Sequence, residues 1–224
     1  MSLTVSTESL QEMVGKAIKC VSNNKLIPLT SLMNIKVKDN TLTLTTTDAT
    51  NYFYVFKNNV VSEDFEISVV ADTFTKLIQK TTSKDIILDI ADGCLKVKGN
   101  GNYSIELPLD ETSNVIKFPV KYDISKFTTN LGIVKKSTID TILATNKASL
   151  AVDITLPSLT CYYCNDKVVT SDSYKICSTN IKAFEKPLLI TAQLMELLGS
   201  MSEEDISVHS DGNSLIFSTS FETI

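Results

Sequence analysis

Cys161-Tyr-Tyr-Cys164 has the spacing of two thiolate metal ligands, and it is the first place in this 224-residue chain where chemistry could be sought. A structural zinc site needs four ligands in tetrahedral array. There is no second CxxC, and the single histidine, His209, stands outside any paired motif. Residues three apart on a strand also face opposite sides. Ordinary thiols in a reducing compartment are therefore expected at these positions and at Cys20, Cys94 and Cys177. His209 alternates with Ser207 onto the polar side of its strand, with no HExxH, nucleophile elbow or evident partner, and reads as a solvated strand residue. Gly99-Asn100-Gly101 is the only glycine-rich stretch. A phosphate cradle opens a helix, whereas this one joins two alternating runs and reads as a hairpin turn. These residue types point away from an enzyme, and no cofactor is expected.

The elements that must position these residues repeat four times. Asp39-Asn40, Asp92-Gly93, Asn165-Asp166 and Asp211-Gly212 each lie between runs that alternate apolar and polar residues, the mark of a tight hairpin. A helix with one apolar stripe precedes each: Glu8 to Val21, Asp72 to Lys80, Ser137 to Asn146 and Thr191 to Gly199. In the first, Leu10, Met13, Val14, Ala17, Ile18 and Val21 wind into one stripe, with Thr7 as the expected N-cap and Glu12, Lys16 and Lys19 opposite. A short apolar strand lies before every helix, so the order is strand, helix, strand, strand, strand. The fold class is α+β, with helices on one face of antiparallel sheets. The uneven spacing does not fit a solenoid. Duplication at two levels does, and the polar stretch from Asp110 to Thr129 is the expected linker, giving domains at 1–120 and 121–224. Thr46-Thr47-Asp48 and Thr170-Ser171-Asp172 fall at the same place in units one and three, which argues for a shared turn built on the aspartate. Only Phe221 to Ile224 are left for the last strand, so the second domain is expected to be truncated there.

Composition narrows the class. A hydrophobic content of 43% with few Pro or Gly residues is globular. No run approaches the roughly 18 apolar residues of a membrane span, and the N-terminus lacks the layout of a signal peptide. A cytoplasmic protein is expected. The net charge of −5 argues against a surface that is basic throughout.

The chain resembles the bacterial sliding clamp, the beta subunit of DNA polymerase III. The segment Leu29-Thr-Ser-Leu-Met-Asn-Ile-Lys-Val-Lys-Asp-Asn-Thr-Leu-Thr-Leu-Thr-Thr-Thr-Asp48 is similar to that family's first-domain pattern of apolar strand, acidic turn and strand ending in Thr-Asp. Val168-Val-Thr-Ser-Asp-Ser-Tyr-Lys-Ile176 is similar to its second-domain stretch ending in Thr-Asp-Gly-His-Arg-Leu, departing at Ser171, Ser173, Tyr174, Lys175 and Ile176. The resemblance covers nearly the whole chain as the first two of three domains, and order and spacing carry it. It implies the DNA clamp fold, with the helices of duplicated βαβββ units lining a ring around duplex DNA and the sheets forming its outer wall.

The resemblance then implies roles. Duplex DNA carries one charge per about 1.7 Å of axis, so lysines on an inner wall would attract it without reading sequence. The DNA-binding candidates are Lys16, Lys19, Lys25, Lys76, Lys80, Lys136 and Lys147, Lys25 lying in the loop where the family places a DNA-contacting basic residue. DNA polymerase and the clamp loader are the implied partners. They insert a short peptide motif into a pocket to which this chain would contribute Leu156, Ser171, Ser173, Tyr174, Lys175 and Ile176. Self-association into a ring is implied for the full-length protein, and membrane association is not. A complete two-domain clamp closing as a trimer, and a duplicated α+β small-molecule-binding protein, are the alternative readings.

Overall fold

The computed structural model describes residues 2–114, 116, 118–119, 124–151 and 156–224. The chain divides into two compact units, Met1–Val120 and Lys121–Ile224. The boundary expected at residues 120 and 121 lies outside the described residues.

The first unit runs β1 (Ser2–Ser6), α1 (Thr7–Ala17), β2 (Leu32–Lys38), β3 (Thr41–Thr47), β4 (Tyr52–Lys57), then β5 (Phe65–Val70), α2 (Ala71–Gln79), β6 (Asp85–Ala91), β7 (Cys94–Lys98) and β8 (Asn102–Glu106). The second runs β9 (Thr129–Lys135), α3 (Lys136–Asn146), β10 (Cys161–Cys164), β11 (Val168–Ser171), β12 (Ile176–Thr179), then β13 (Leu188–Thr191), α4 (Ala192–Gly199), β14 (Asp205–Ser210), β15 (Leu215–Ser218) and β16 (Glu222–Thr223). The order strand, helix, three strands thus occurs four times.

Within each unit the first strand of each repeat leaves its own helix and pairs with the other repeat. β1 pairs antiparallel with β6, from Ser2 opposite Asp89 to Ser6 opposite Asp85. β5 pairs antiparallel with β2, from Leu32 opposite Val70 to Val37 opposite Phe65. In the second unit β9 pairs with β14 and β13 with β10 in the same way. Gly132 and the β9–β14 register shift between Ser207 and His209 mark a bulge in β9, where a φ of +95° suits glycine.

Packing explains why the helices sit where they do. Leu10, Met13, Val14 and Ala17 of α1 and Ala71, Phe74 and Ile78 of α2 are buried together with Leu3, Val5, Ile35, Leu44, Phe53, Ile86 and Leu95 of the strands. Ile139 and Ile142 of α3 and Met195 and Leu198 of α4 join Tyr162, Cys164, Val168, Ile190, Val208 and Phe217 in the second core. Fully burying one large aliphatic side chain contributes about 1.5–3 kcal/mol, against about 0.5 kcal/mol for a surface ion pair one helical turn apart. Core contacts therefore hold the helices, and the ion pairs on their outer faces add little to stability.

Several local expectations are corrected. Helix α1 starts at Thr7 with Ser6 at its N-cap, and it gives way to a 3-10 turn at Ile18–Cys20. Thr7 is unsuited to capping because it is buried and already helical, its amide donating to the carbonyl of Lys84 across the unit. Thr191 does cap α4, accepting from the amide of Leu194. Asp39-Asn40 and Asp92-Gly93 are tight hairpins in which both residues take left-handed φ values, from 50° to 72°. The other two turns are wider. Asn165 starts a three-residue connection closed from its amide to the carbonyl of Lys167, and the carboxylate of Asp211 gathers the amides of Asn213 and Ser214 into a four-residue one.

Candidate nucleic-acid interface

In the first unit, two glutamines clasp the helices. The amide of Gln11 donates to the carbonyls of Ile78, at 3.0 Å, and Thr81, at 2.8 Å, and that of Gln79 donates back to the carbonyl of Gln11 at 2.8 Å. On the face away from the core the pair presents Glu8, Glu12, Lys19, Asp72, Lys76 and Lys80, all exposed. Lys16 bonds Glu12 at 2.6 Å and Lys76 bonds Asp72 at 2.6 Å, each one turn away on its own helix. Lys19 in the 3-10 turn after α1, Lys25 in the loop that follows that turn and Lys80 at the C-cap of α2 make no ion pair with a described residue.

In the second unit Lys136 bonds Asp140 at 2.6 Å, and Lys147, in a 3-10 turn just after α3, reaches Glu196 of α4 at 2.7 Å. The structure thus separates the seven candidate lysines into two groups. Lys16, Lys76, Lys136 and Lys147 are offset by neighbouring carboxylates, whereas Lys19, Lys25 and Lys80 carry unneutralised charge. The helix faces are close to neutral, with local positive points.

The two Thr/Ser-Asp turns are built alike. After β3, the Thr47 hydroxyl accepts from the amide of Ala49, and Asp48 Oδ1 accepts from the amides of Thr50, at 2.8 Å, and Asn51, at 2.6 Å. After β11, the Ser171 hydroxyl accepts from the amide of Ser173, and Asp172 Oδ1 accepts from the amides of Tyr174, at 3.0 Å, and Lys175, at 2.7 Å. Ala49 and Ser173 take matching φ values of 81° and 74°. One residue upstream, the buried hydroxyls of Thr46 and Thr170 donate to the carbonyls of Ala17 and Asn146, where α1 and α3 end. Alternation alone starts these strands at Asn51 and Tyr174; by capturing amides that a strand would need, the aspartates delay β4 to Tyr52 and β12 to Ile176. The amide of Lys175 is the main cause holding the Asp172 carboxyl below its usual range, with the amide of Tyr174 and the Lys175 ammonium adding to it.

This second turn carries the candidate partner residues. Tyr174 is 94% exposed, Ile176 75% and Leu156 46%. The Lys175 ammonium is tied down, bonding the carbonyl of Ala148 at 3.0 Å and Asp172 Oδ2 at 3.1 Å. Leu156 begins a separate turn, accepting from the amide of Leu159 before the 3-10 segment Pro157–Thr160. Ile27 stands at the corresponding place ahead of Pro28–Ser31 in the first unit.

The remaining chemistry-bearing residues take structural places. All five cysteines are free thiols. Cys164 points into the core, while Cys161 donates to the carbonyl of Pro157. Asn100 turns inward from its hairpin, its side-chain carbonyl accepting from the amides of Thr82 and Ser83 after α2.

The family model of the DNA polymerase III beta subunit, N-terminal domain, matches residues 1–119, more than half of the chain. The chain belongs to the DNA polymerase III beta subunit family. Among curated proteins none matches this beta-subunit chain in sequence. Its fold is that of solved beta clamps. The beta subunit of Thermotoga maritima superposes with a TM-score of 0.80 at 18% identity, over 99% of this chain and 62% of that one. The Caulobacter crescentus beta sliding clamp gives 0.82 at 14%, over 100% of this chain and 63% of that one. A sliding clamp from Bartonella birtlesii, solved bound to griselimycin, gives 0.80 at 15%, over 100% and 63%. The beta-subunit chain therefore spans less than two thirds of the length of these structures.

Reading by sequence alone missed the Gln11–Gln79 clasp and the buried Asn146, whose side-chain amide reaches the carbonyl of Val168 and whose carbonyl accepts from Thr145 and Thr179. None of these three residues belongs to a motif. The one signal was polarity at helix positions that meet a neighbouring helix or strand.

Proposed function

We propose that this chain supplies two consecutive clamp domains, residues 1–120 and 121–224, of a processivity factor that encloses duplex DNA and tethers a polymerase to it without catalysing a reaction. The observation that carries the reading is the fourfold βαβββ repeat in the beta-clamp fold, running over 99% of the chain in its match to the Thermotoga clamp. Its electrostatics suit sliding. All 21 basic residues are lysines, compact point charges that lack the rigid fork with which arginine recognises phosphate and base edges in bidentate fashion. They attract phosphates without favouring a sequence. Four of the seven candidate lysines are already partnered, so contact with the backbone is weak and easily exchanged. Lys25, Lys19 and Lys80 are the principal contacts, supplemented by Lys16, Lys76, Lys136 and Lys147.

Polymerase and clamp loader dock a short peptide at Leu156, Ser171, Ser173, Tyr174, Lys175 and Ile176, the turn fixed by Asp172 presenting the tyrosine outward. The protein acts in the cytoplasm, assembled as a ring.

Enclosure and electrostatic adhesion respond differently to salt, and this provides the test. Phosphate contacts weaken steeply as salt rises, whereas a topological link does not. The protein carrying this chain, loaded on nicked circular DNA by a clamp loader, is expected to stay bound in high salt and to leave when the circle is cut. Equal loss from circular and linear DNA would overturn the reading.

A further inference from the structure

The loop that carries Lys25 is shaped by one side chain. Asn24 Oδ1 accepts from the amide of Leu26 at 3.0 Å, and the Asn24 carbonyl accepts from the amide of Ile27 at 3.0 Å. These bonds close a four-residue turn, Asn24 to Ile27, in which asparagine holds the first position it favours and Lys25 the second. The amide of Ser22 bonds the carbonyl of Thr30 at 2.9 Å, so the base of the loop is also closed. At its tip Lys25 is exposed and Leu26 is 91% exposed, so no packing onto the core holds the tip in place. Without the Asn24 side chain the lysine would sample many positions, and ordering it against a phosphate would cost conformational entropy.

We infer that Asn24 is a positioning residue for DNA, setting the turn that holds Lys25 at the loop tip. The inference rests on the reading of Lys25 as a DNA contact. Asn24 does not itself touch DNA in this account; it reduces the disorder that Lys25 must lose on binding.

The test is a double-mutant cycle on this chain, measuring anisotropy of a labelled short duplex over a range of low salt concentrations. Removing one phosphate contact lowers the salt slope by about 0.9 and affinity by about threefold. Lys25→Ala is expected to show that loss. Asn24→Ala should weaken binding about twofold in the Lys25 chain, have no effect in the Lys25→Ala chain, and be rescued by Asn24→Ser, which retains an acceptor. Equal effects of Asn24→Ala in both backgrounds, or none in either while Lys25→Ala weakens binding, would overturn the inference and leave the Lys25 contact standing. No effect of Lys25→Ala would overturn the contact and the inference with it. Circular dichroism melting should be unchanged in every variant, because residues 23–28 are exposed.

Discussion

Reversing the charge at Lys25 separates function from folding, because the residue is exposed in a loop and makes no ion pair with a described residue. Lys25→Glu is expected to reduce loading onto DNA with an unchanged melting temperature; unaltered loading of the protein that carries this chain would count against the contact. The thiols give a second test. Burial, its largest cause, pushes Cys20 up to about 12 and Cys164 likewise. Thiolates are the reactive form. Iodoacetamide at pH 8 should therefore label the half-buried Cys94 and Cys177 well before Cys20 and Cys164, as read by mass spectrometry; early labelling of Cys164 would contradict its place in the core. That the thiols and His209 lack partner motifs is visible in residue types alone, whereas the half-burial of His209 on β14 is not. The pairing of Lys16, Lys76 and Lys136 with acids one helical turn away was also present in the spacing. That of Lys147 with Glu196 was not, since it depends on two helices meeting.

Thr46 and Thr170 tie the ends of helices to the strands beside them. Replacing either with valine keeps the shape but leaves a helix-end carbonyl without its hydroxyl donor, and each is expected to cost about 1–3 kcal/mol by denaturant titration. A neutral result would mean that the carbonyl finds another donor. The turn after β11 should also respond to pH. Its Asp172 carboxyl is lowered in the folded state, chiefly by the amide of Lys175. A lowered folded-state value means that the stabilisation is complete above the unfolded value and is lost as pH falls through the folded one. Tyr174 and Lys175 amides should keep their protection down to the ordinary carboxylate range, after correction for intrinsic exchange, and lose it below; loss near neutrality would contradict the assignment. Hairpins and helix stripes were legible because periodicity of 2 or 3.6 is a local property. The late starts of β4 and β12 were not, since a side chain taking a strand's amides leaves the alternation of the sequence unchanged.

Light scattering is the measurement that belongs to the molecule as a whole. This chain alone is expected to be monomeric; a stable trimer would favour a ring made of two-domain chains. Duplication was legible in the sequence, but the pairing of β1 with β6 and β5 with β2 was not, because a short apolar strand carries no mark of which repeat it will join. That exchange bears on ancestry. A single repeat would hold three strands with a vacant edge and one strand with nowhere of its own to pair. Two identical one-repeat chains could satisfy each other by trading first strands, as each unit's two halves do here. Each unit is arranged as such a swapped pair joined end to end would be, and cutting the first unit between β4 and β5 should yield two halves of that unit that fold only when mixed.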